Sequence, residues 1–449
     1  MHVLVIGAGE IGFFLAQRLE AERHDVVVIE RDPVRAASVA AQIDVQVICG
    51  SGVSPAVLRE ARIDKADLVA AVTEIDEVNL VACLLAKEHG VTTTVVRLQS
   101  EELRGEHGQN MLERVGADLV IDPDADTADE ILELLHSTGA DEIYPMAGGD
   151  LTVIGGFIAE GAPLAGRHLA EIAAEYEPSW EFLFGAVTRD GVTSIPRGDQ
   201  QLLAGDHVRV LVTRGARRNI LRLLGAPAKS ARKVMILGGG AIGTRVATKL
   251  EAEGVDVVMV ERDPLRAEEL AKRMHKVVVV HGDITNTELL QEENVGGMDA
   301  VVAATGEDSA NVLACALAAA EGGRFTIAVL HRLALLPLVR RFGVNAALSP
   351  RTASANAVLR HVRGGTSDVA TFLDSDSEVD EIEIEAGSKA DGAVVSELHL
   401  PHDILIGAVI RPGTNAEIVR GKTVLHAGEH VVIFARPSDL AAARSFFVR

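Results

Sequence analysis

Two glycine runs suited to a phosphate occur in this chain, each followed by an acid suited to a ribose. The first is Gly7-Ala8-Gly9-Glu10-Ile11-Gly12, after the apolar run Val3-Leu4-Val5-Ile6. The second is Gly238-Gly239-Gly240-Ala241-Ile242-Gly243, after Val234-Met235-Ile236-Leu237. Glu30 closes the next apolar run of the first copy and Glu261 that of the second, both at the 231-residue offset that separates Gly7 from Gly238. In G-x-G-x-x-G the first glycine permits a tight turn out of a strand. The second lets the backbone approach a pyrophosphate, and the third lets a helix pack close to the sheet. The helix N-terminus then offers free N–H groups and partial positive charge to the phosphates. Glu30 and Glu261 are placed to accept hydrogen bonds from ribose hydroxyls. A carboxylate there repels a 2′-phosphate and favours NAD(H), although the adjacent Arg31 and Arg262 are residues able to bind such a phosphate. One such motif is weak evidence, since a plain glycine-rich turn reads the same way. Strand, glycines, helix, strand and acid in order, twice, is stronger.

These residues need a particular set of elements to position them. In the first half, apolar runs predict strands near residues 2–6, 25–30, 45–49, 67–72, 93–97 and 118–121, with amphipathic segments such as 76–89 and 109–115 between them. Alternating strands and helices with nearly continuous apolar strands predict a parallel sheet covered on both faces. The pattern returns from about 233 to 350. Echoes fix the register: Arg31-Asp-Pro-Val-Arg-Ala36 with Arg262-Asp-Pro-Leu-Arg-Ala267, and Thr73-Glu-Ile-Asp76-Glu-Val-Asn79 with Thr305-Gly-Glu-Asp308-Ser-Ala-Asn311. Asp118 to Pro123 matches Asn345 to Pro350.

Between and after these units the period changes. Residues 150–158 and 181–188 alternate apolar and polar as half-buried strands do. Gly185 to Gly191 with Val208 to Val212 is echoed by Gly407 to Gly413 with Val431 to Phe434. The expected fold is α/β, with two Rossmann-like doubly wound parallel-sheet domains (1–137 and 231–362). Each is followed by a small α+β domain (138–225 and 368–449), with linkers near 138–149, 225–230 and 363–378.

Composition narrows the function. A chain of 449 residues suits three or four domains. A net charge of −22 argues against nucleic acid and against direct binding to anionic lipid. No apolar run is long enough to span a bilayer, and a strand already begins near residue 3, so no secretory signal is expected. Cys49, Cys83 and Cys315 lack metal-ligand spacing and read as buried free thiols in a reducing compartment. No metal ligand or catalytic residue is assigned.

The duplicated glycine loop with its acid, the two T-x-x-D-x-x-N segments and the Arg…Gly-Asp/Glu pattern of the small domains together resemble the regulator of potassium conductance (RCK, or KTN) family. Two such pairs in one chain are similar to the cytosolic NAD-binding regulatory subunits of Trk potassium uptake systems, over essentially the whole length. The resemblance implies a non-enzymatic, cytoplasmic protein on the inner face of the membrane. It would form a homo-oligomeric ring, a tetramer, under a TrkH/TrkG-like potassium transporter subunit and gate it on binding NAD(H) or ATP/ADP. It also implies that Gly7, Ala8, Gly9, Glu10, Ile11 and Gly12 hold phosphates, Glu30 the ribose, and Thr73, Glu74 and Arg97 the rest of the nucleotide. Gly238, Gly239, Gly240, Ala241, Ile242, Gly243, Glu261, Asp283 and Thr305 would do the same in the second half. Leu330 stands as the counterpart of Arg97, and Ser51 as that of Asp283. Some relatives place an Arg inside the glycine loop to meet a triphosphate. Here Glu10 and Ala241 stand there, and Glu10 is expected to repel extra negative charge, so the first site is expected to prefer NAD(H).

Two other readings stay open. An NAD-dependent oxidoreductase needs a proton donor beside the nicotinamide. Tyr144 and Tyr176 each lack a Lys four residues later, and His281 with Asp283 is the nearest candidate pair. An RCK-type regulator of a potassium efflux or cation/proton antiport system would carry the same motifs.

Overall fold

The computed structural model describes residues 1–449 except 22, 101–102, 104–105, 179, 363–368 and 373–376. The chain divides into two compact units, Met1–Asp126 with Pro350–Thr366, and Thr127–Ser349 with Ser367–Arg449.

The first unit holds six parallel strands: His2–Ile6, Asp25–Glu30, Gln46–Cys49, Leu68–Ala71, Thr93–Arg97 and Leu119–Ile121. Their order is 3-2-1-4-5-6, so the first and fourth strands lie side by side at the switch point of a doubly wound sheet. Alternate side chains serve opposite faces. Val3, Val5, Val28 and Ala70 pack on helix Glu10–Ala21 through Leu15 and Leu19. Leu4, Ile6, Val27 and Val69 pack on Leu58, Ala82 and Ala86.

One covering helix comes from far along the chain. Helix Pro350–Val362 follows the last strand of the second parallel sheet, yet its Val358 and Leu359 are buried in the first unit against the face that carries Leu15 and Leu19. Burying two such side chains contributes about 1.5–3 kcal/mol each. That is well above the roughly 0–1 kcal/mol of a solvent-accessible ion pair. Apolar packing therefore holds this helix, and its charged residues are left for other work.

The second unit carries the second parallel sheet, Lys233–Leu237, Asp256–Glu261, Val278–His281, Ala300–Ala303, Thr326–Val329 and Ala346–Leu348, in the same relative order. It too is covered by a helix from elsewhere. Helix Pro123–His136 buries Ala128, Ile131 and Leu135 in a cluster with Val234, Ile236, Val246 and Leu250. Asp129 pairs with Lys249, and His136 Nε2 lies 2.8 Å from Glu253 Oε2. Each helix that leaves a sixth strand thus covers the other parallel sheet, and Pro opens both at the first helical position.

The small domains are antiparallel five-stranded sheets within this unit. One contains Glu142–Met146, Leu151–Phe157, Phe182–Arg189, Val192–Ser194 and His207–Thr213; the other contains Val369–Thr371, Glu378–Glu383, Ile404–Ile410, Glu417–Ile418 and His430–Ala435. The segment read as a linker at 138–149 supplies an edge strand, because Glu142–Met146 pairs with Leu151–Phe157. The linker expected at 363–378 lies largely outside the described residues. The strands read as half-buried are buried on both faces. One face packs on Ile154, Phe184 and Val210, and the other meets the second small sheet through Val153, Leu211, Val432 and Phe434. Gly185 allows that approach, since a Cβ there would lie 2.1 Å from the Phe434 ring. The two sheets also exchange arginines. Arg197 Nη2 donates to the carbonyls of Pro401, His402 and Ile404 at 3.2, 3.0 and 3.2 Å, and Arg420, its repeat counterpart, stands 3.7 Å from the Glu177 carboxylate.

Cys83 and Cys315 are buried, and burial pushes the Cys315 thiol up to about 12. Cys49 is exposed, contrary to the expectation from its apolar run: it ends the edge strand, where its side chain has no second layer over it. No helix among the described residues is long and apolar enough to cross a membrane.

Candidate functional site

The loop from Gly7 to Gly12 joins the central strand His2–Ile6 to helix Glu10–Ala21. Gly7 has φ +99, and a Cβ on it would meet Thr73 Cγ2 at 2.9 Å. The loop thus rests on the end of the fourth strand. A Cβ on Gly12 would lie 1.8 Å from the Gly7 carbonyl oxygen, so the third glycine closes the loop on its own first residue. Gly9 is different. Only Arg35 Nη1, at 4.0 Å, comes near a Cβ built there, and the space above it is open for a pyrophosphate.

Glu30 is buried at the end of the second strand. Its carboxylate accepts the Ala8 N–H at 2.8 Å and the Asp32 N–H at 2.9 Å. Each oxygen keeps a second lone pair for a ribose hydroxyl. The acid thus holds the glycine loop in shape before any ligand arrives.

Asn79, fully buried, ties the fourth strand to the fifth. Its Oδ1 accepts the Thr73 N–H at 2.9 Å and the Thr73 hydroxyl at 2.7 Å, and its Nδ2 donates to the carbonyls of Thr73 and Arg97 at 2.9 Å each. Thr73 and Arg97 are thereby brought together over the loop, with Glu74 exposed beside them. Arg97 Nη1 reaches the Thr73 carbonyl at only 3.5 Å, and its buried Nε makes no hydrogen bond among the described residues. A buried donor left unmade costs about 1–3 kcal/mol, a deficit that a ligand oxygen would remove. The open space over Gly9 and this orphaned Nε both fit a dinucleotide's phosphates and sugar.

The second half rebuilds the same frame. Gly238 has φ +114 and abuts Thr305 Cγ2 at 2.8 Å from its would-be Cβ. A Cβ on Gly243 would lie 2.1 Å from the Gly238 carbonyl oxygen, and one on Gly240 would meet only the Ala304 carbonyl oxygen, at 3.8 Å. Glu261 accepts the Gly239 N–H at 2.7 Å and the Asp263 N–H at 2.8 Å. Asn311 repeats the clamp, accepting from the Thr305 N–H and hydroxyl at 3.0 and 2.5 Å and donating to the carbonyls of Thr305 and Val329 at 2.9 Å each. That bond places Val329, not Leu330, opposite Arg97. The strand register agrees, with Ala71↔Val96 in one sheet and Ala303↔Ala328 in the other. Leu330 instead matches Leu98, and both are buried in the core.

Asp283 sits one turn beyond the edge strand, exposed, and accepts the Thr285 N–H at 2.8 Å and hydroxyl at 2.7 Å. The Thr285 amide, then its hydroxyl, holds the Asp283 carboxyl below its ordinary range, so it stays ionised. Its first partner is its own turn. His281 Nε2 lies 3.2 Å from the Arg262 carbonyl, and Arg262 reaches Glu307 at 3.3 Å.

Several residues at these loops carry roles that the sequence did not assign to them. Arg266, the repeat of Arg35, donates from Nε to the Gly239 carbonyl at 3.3 Å; the shared R-D-P-x-R segment carried that signal. Asp76 receives the amides of Gln99 (3.1 Å) and Ser100 (2.9 Å), and Asp308 those of His331 (2.9 Å) and Arg332 (2.7 Å). Arg351, at the start of the crossing helix, pairs through both Nε and Nη2 with the Glu10 carboxylate, the Nε bond being 2.9 Å. The repulsion expected from Glu10 is therefore offset by a cation 341 residues away, which no local pattern could reveal. The structure also gathers Asp141, Glu142 and His207, buried in the first small domain. There Glu142 forms a two-bond ion pair with Arg209 at 2.8 and 2.9 Å, and Asp141 lies within hydrogen-bond distance of His207 at 2.9 Å.

The TrkA-N domain model matches residues 3–123 and 234–350, and the TrkA-C domain model residues 157–225 and 379–448. The chain belongs to the TrkA family. The TrkA-N segments coincide with the two parallel sheets and stop at Pro123 and Pro350, where the crossing helices begin; the TrkA-C segments cover most of the antiparallel sheets. The chain is 31% identical over 439 residues to the Trk system potassium uptake protein TrkA of Halomonas elongata, covering 97% of this chain and 95% of that one. It is 32% identical over 452 residues to the TrkA homolog of Archaeoglobus fulgidus, covering both completely. Among solved structures, the GsuK RCK domain matches with a TM-score of 0.61 at 20% identity, covering 100% of this chain and 95% of that one. The GsuK channel bound to NAD matches with 0.61 at 18%, covering 100% and 79%. At such identities the likeness establishes the fold, which is of the RCK type.

Proposed function

We propose that this TrkA-family chain is the non-catalytic, nucleotide-sensing subunit of a potassium uptake system. It binds NAD(H), or ADP and ATP, at the glycine loops and passes the occupied state to a TrkH/TrkG-like membrane transporter, on which it sits as a homo-oligomeric ring, a tetramer, at the cytoplasmic face. The observation that carries this reading is the twice-built cradle: open second glycine, pre-held ribose acid and Asn clamp. In the first copy Gly7 to Gly12 take the phosphates, Glu30 the ribose, and Thr73, Glu74 and Arg97 the remainder. In the second, Gly238 to Gly243, Glu261, Asp283 and Thr305 take those places. The relatives' names as Trk potassium uptake proteins and the NAD-bound state of GsuK support it.

A regulator needs no chemistry on its ligand, only different affinity in two conformations. Moving an equilibrium from 1:99 to 99:1 takes about 5.5 kcal/mol of that difference, which several sites in a ring supply at about 1–2 kcal/mol each. The tyrosines available to an oxidoreductase are placed elsewhere: Tyr144 meets Phe372 and Tyr176 meets Phe182 edge to face, in the antiparallel domains. Calorimetric titration of the full chain with NADH, NAD, ADP and ATP tests the reading. Micromolar binding near two sites per chain, with NADH recovered unoxidised, is the expected result. NADH turnover with cell extract would replace the reading with an oxidoreductase, and no binding would remove it.

A further inference from the structure

Arg351 is the second residue of helix Pro350–Val362, and its guanidinium lies at the mouth of the first glycine loop. It is held there by Glu10, the first residue of helix Glu10–Ala21 and the fourth of the glycine motif. The two partners differ in burial. The Arg351 side chain is 19% exposed and that of Glu10 49%. If the pair opens, the half-exposed Glu10 can turn into water, while Arg351 remains confined beside the loop. Its backbone cannot follow Glu10 away, because Val358 and Leu359 of the same helix are buried against helix Glu10–Ala21.

A pyrophosphate arriving over Gly9 brings two negative charges to this point. It repels the Glu10 carboxylate and attracts the guanidinium, whose planar fork suits phosphate oxygens better than a point charge does. We propose that Arg351 is a phosphate ligand of the first site, held in reserve by Glu10 until the nucleotide displaces that carboxylate. The inference rests on the nucleotide-binding reading above. Its consequence is that occupancy of the first site is felt by a helix whose chain leads directly from the second parallel sheet. The second half lacks both members of the pair: Ala241 stands for Glu10, and Asp124 stands for Arg351 after the matching proline. The device is specific to the first site.

The test is calorimetry on the full chain with NAD and with ADP, for wild type, Arg351→Gln, Glu10→Gln and the double variant. Thermal unfolding confirms that each is folded, and Arg351→Lys serves as the conservative control. Arg351→Gln is expected to weaken one class of site about tenfold, the scale of one charge-assisted bond to phosphate. Lys is expected to recover part of the loss, and the double variant to stay about tenfold weaker than Glu10→Gln alone. If the double variant binds as tightly as Glu10→Gln, Arg351 does nothing more than neutralise Glu10 and the proposal is overturned. Unchanged affinity in Arg351→Gln overturns it as well. If the wild-type chain binds neither probe, the functional reading itself falls and takes this inference with it.

Discussion

The two parallel-sheet halves share a frame and differ in charge. Gly7, Gly12, Glu30 and Asn79 do in the first what Gly238, Gly243, Glu261 and Asn311 do in the second, with hydrogen bonds that match to within about 0.2 Å. These contacts are mostly to backbone, so they fix the shape of a loop and the spacing of strand ends. The charges around the frame diverge. The first half has Arg97 and the Glu10–Arg351 pair; the second has Val329, Ala241 and a carboxylate at Asp283. The duplicated frame has kept its geometry and changed its electrostatics.

The comparison breaks first at the glycines. Gly12→Ala and Gly243→Ala each force a Cβ against a carbonyl oxygen, and each is expected to abolish nucleotide binding in its own half. Destabilisation of about 3 kcal/mol or more should accompany it. Calorimetry and thermal unfolding read both effects. A tolerated alanine in either half would show that the loop there is not closed as described.

Next come the clamps. Asn79→Ala and Asn311→Ala each remove four hydrogen bonds at a fully buried position, with an expected loss of about 2–3 kcal/mol in denaturant titration. The two values should agree. A large disparity would mean that one clamp has relaxed.

Asp308 sharpens the contrast at the loop after the fifth strand. Burial works to raise its carboxyl, but the amides of His331 and Arg332 and the His331 imidazole more than offset that and hold it below the ordinary Asp range. A depressed folded value means that its stabilisation is full above the unfolded pKa and is lost as pH falls through the folded one. Asp308→Asn should cost about 1–2 kcal/mol at neutral pH and flatten that part of the acid unfolding curve. An unaltered acid profile would remove Asp308 from the account.

The smallest effect is a natural substitution already present. Thr94 N–H donates to Asp118 at 2.7 Å, and Thr326 N–H donates to Asn345 at 2.8 Å. Burial acts to raise the Asp118 carboxyl, but Lys87 and the Thr94 amide and hydroxyl outweigh it and hold it low. Its contribution too is present above the unfolded value and fades as pH drops toward the folded one. Asp118→Asn should make the first half resemble the second, shifting acid unfolding slightly and stability by less than about 1 kcal/mol, since the pair with Lys87 is partly solvent-accessible and the Thr94 contacts can persist to an amide oxygen. A shift larger than that from Asp308→Asn would invert the ranking.

Sequence alone determined the frame. Apolar runs and glycines placed the six strands of the first half within a residue or two, because a buried parallel strand must be continuously apolar and a glycine loop must follow it. The repeat offset placed the second copy, and the T-x-x-D-x-x-N echo contains Asn79 and Asn311, whose clamping role only the structure shows. Sequence was weaker where a residue's task depends on a partner distant in the chain. The linker read at 138–149 became an edge strand because Leu151–Phe157 offered its free edge. The half-buried alternation of 150–158 misled because a second sheet covers the other face. Arg197 with the 401–404 turn, and Asp141 with His207, are contacts that no period or motif encodes.

Local pattern thus decided which residues form the two cradles, since strand, turn and helix are set by neighbours within a few positions. Tertiary structure decided which charges surround them. Helix Pro350–Val362 is built by its own sequence, but only the packing of Val358 and Leu359 on the first sheet brings Arg351 to Glu10. Apolar burial is indifferent to chain distance, so it can deliver a cation from one repeat to the loop of the other, and a linear reading of either repeat contains no trace of it.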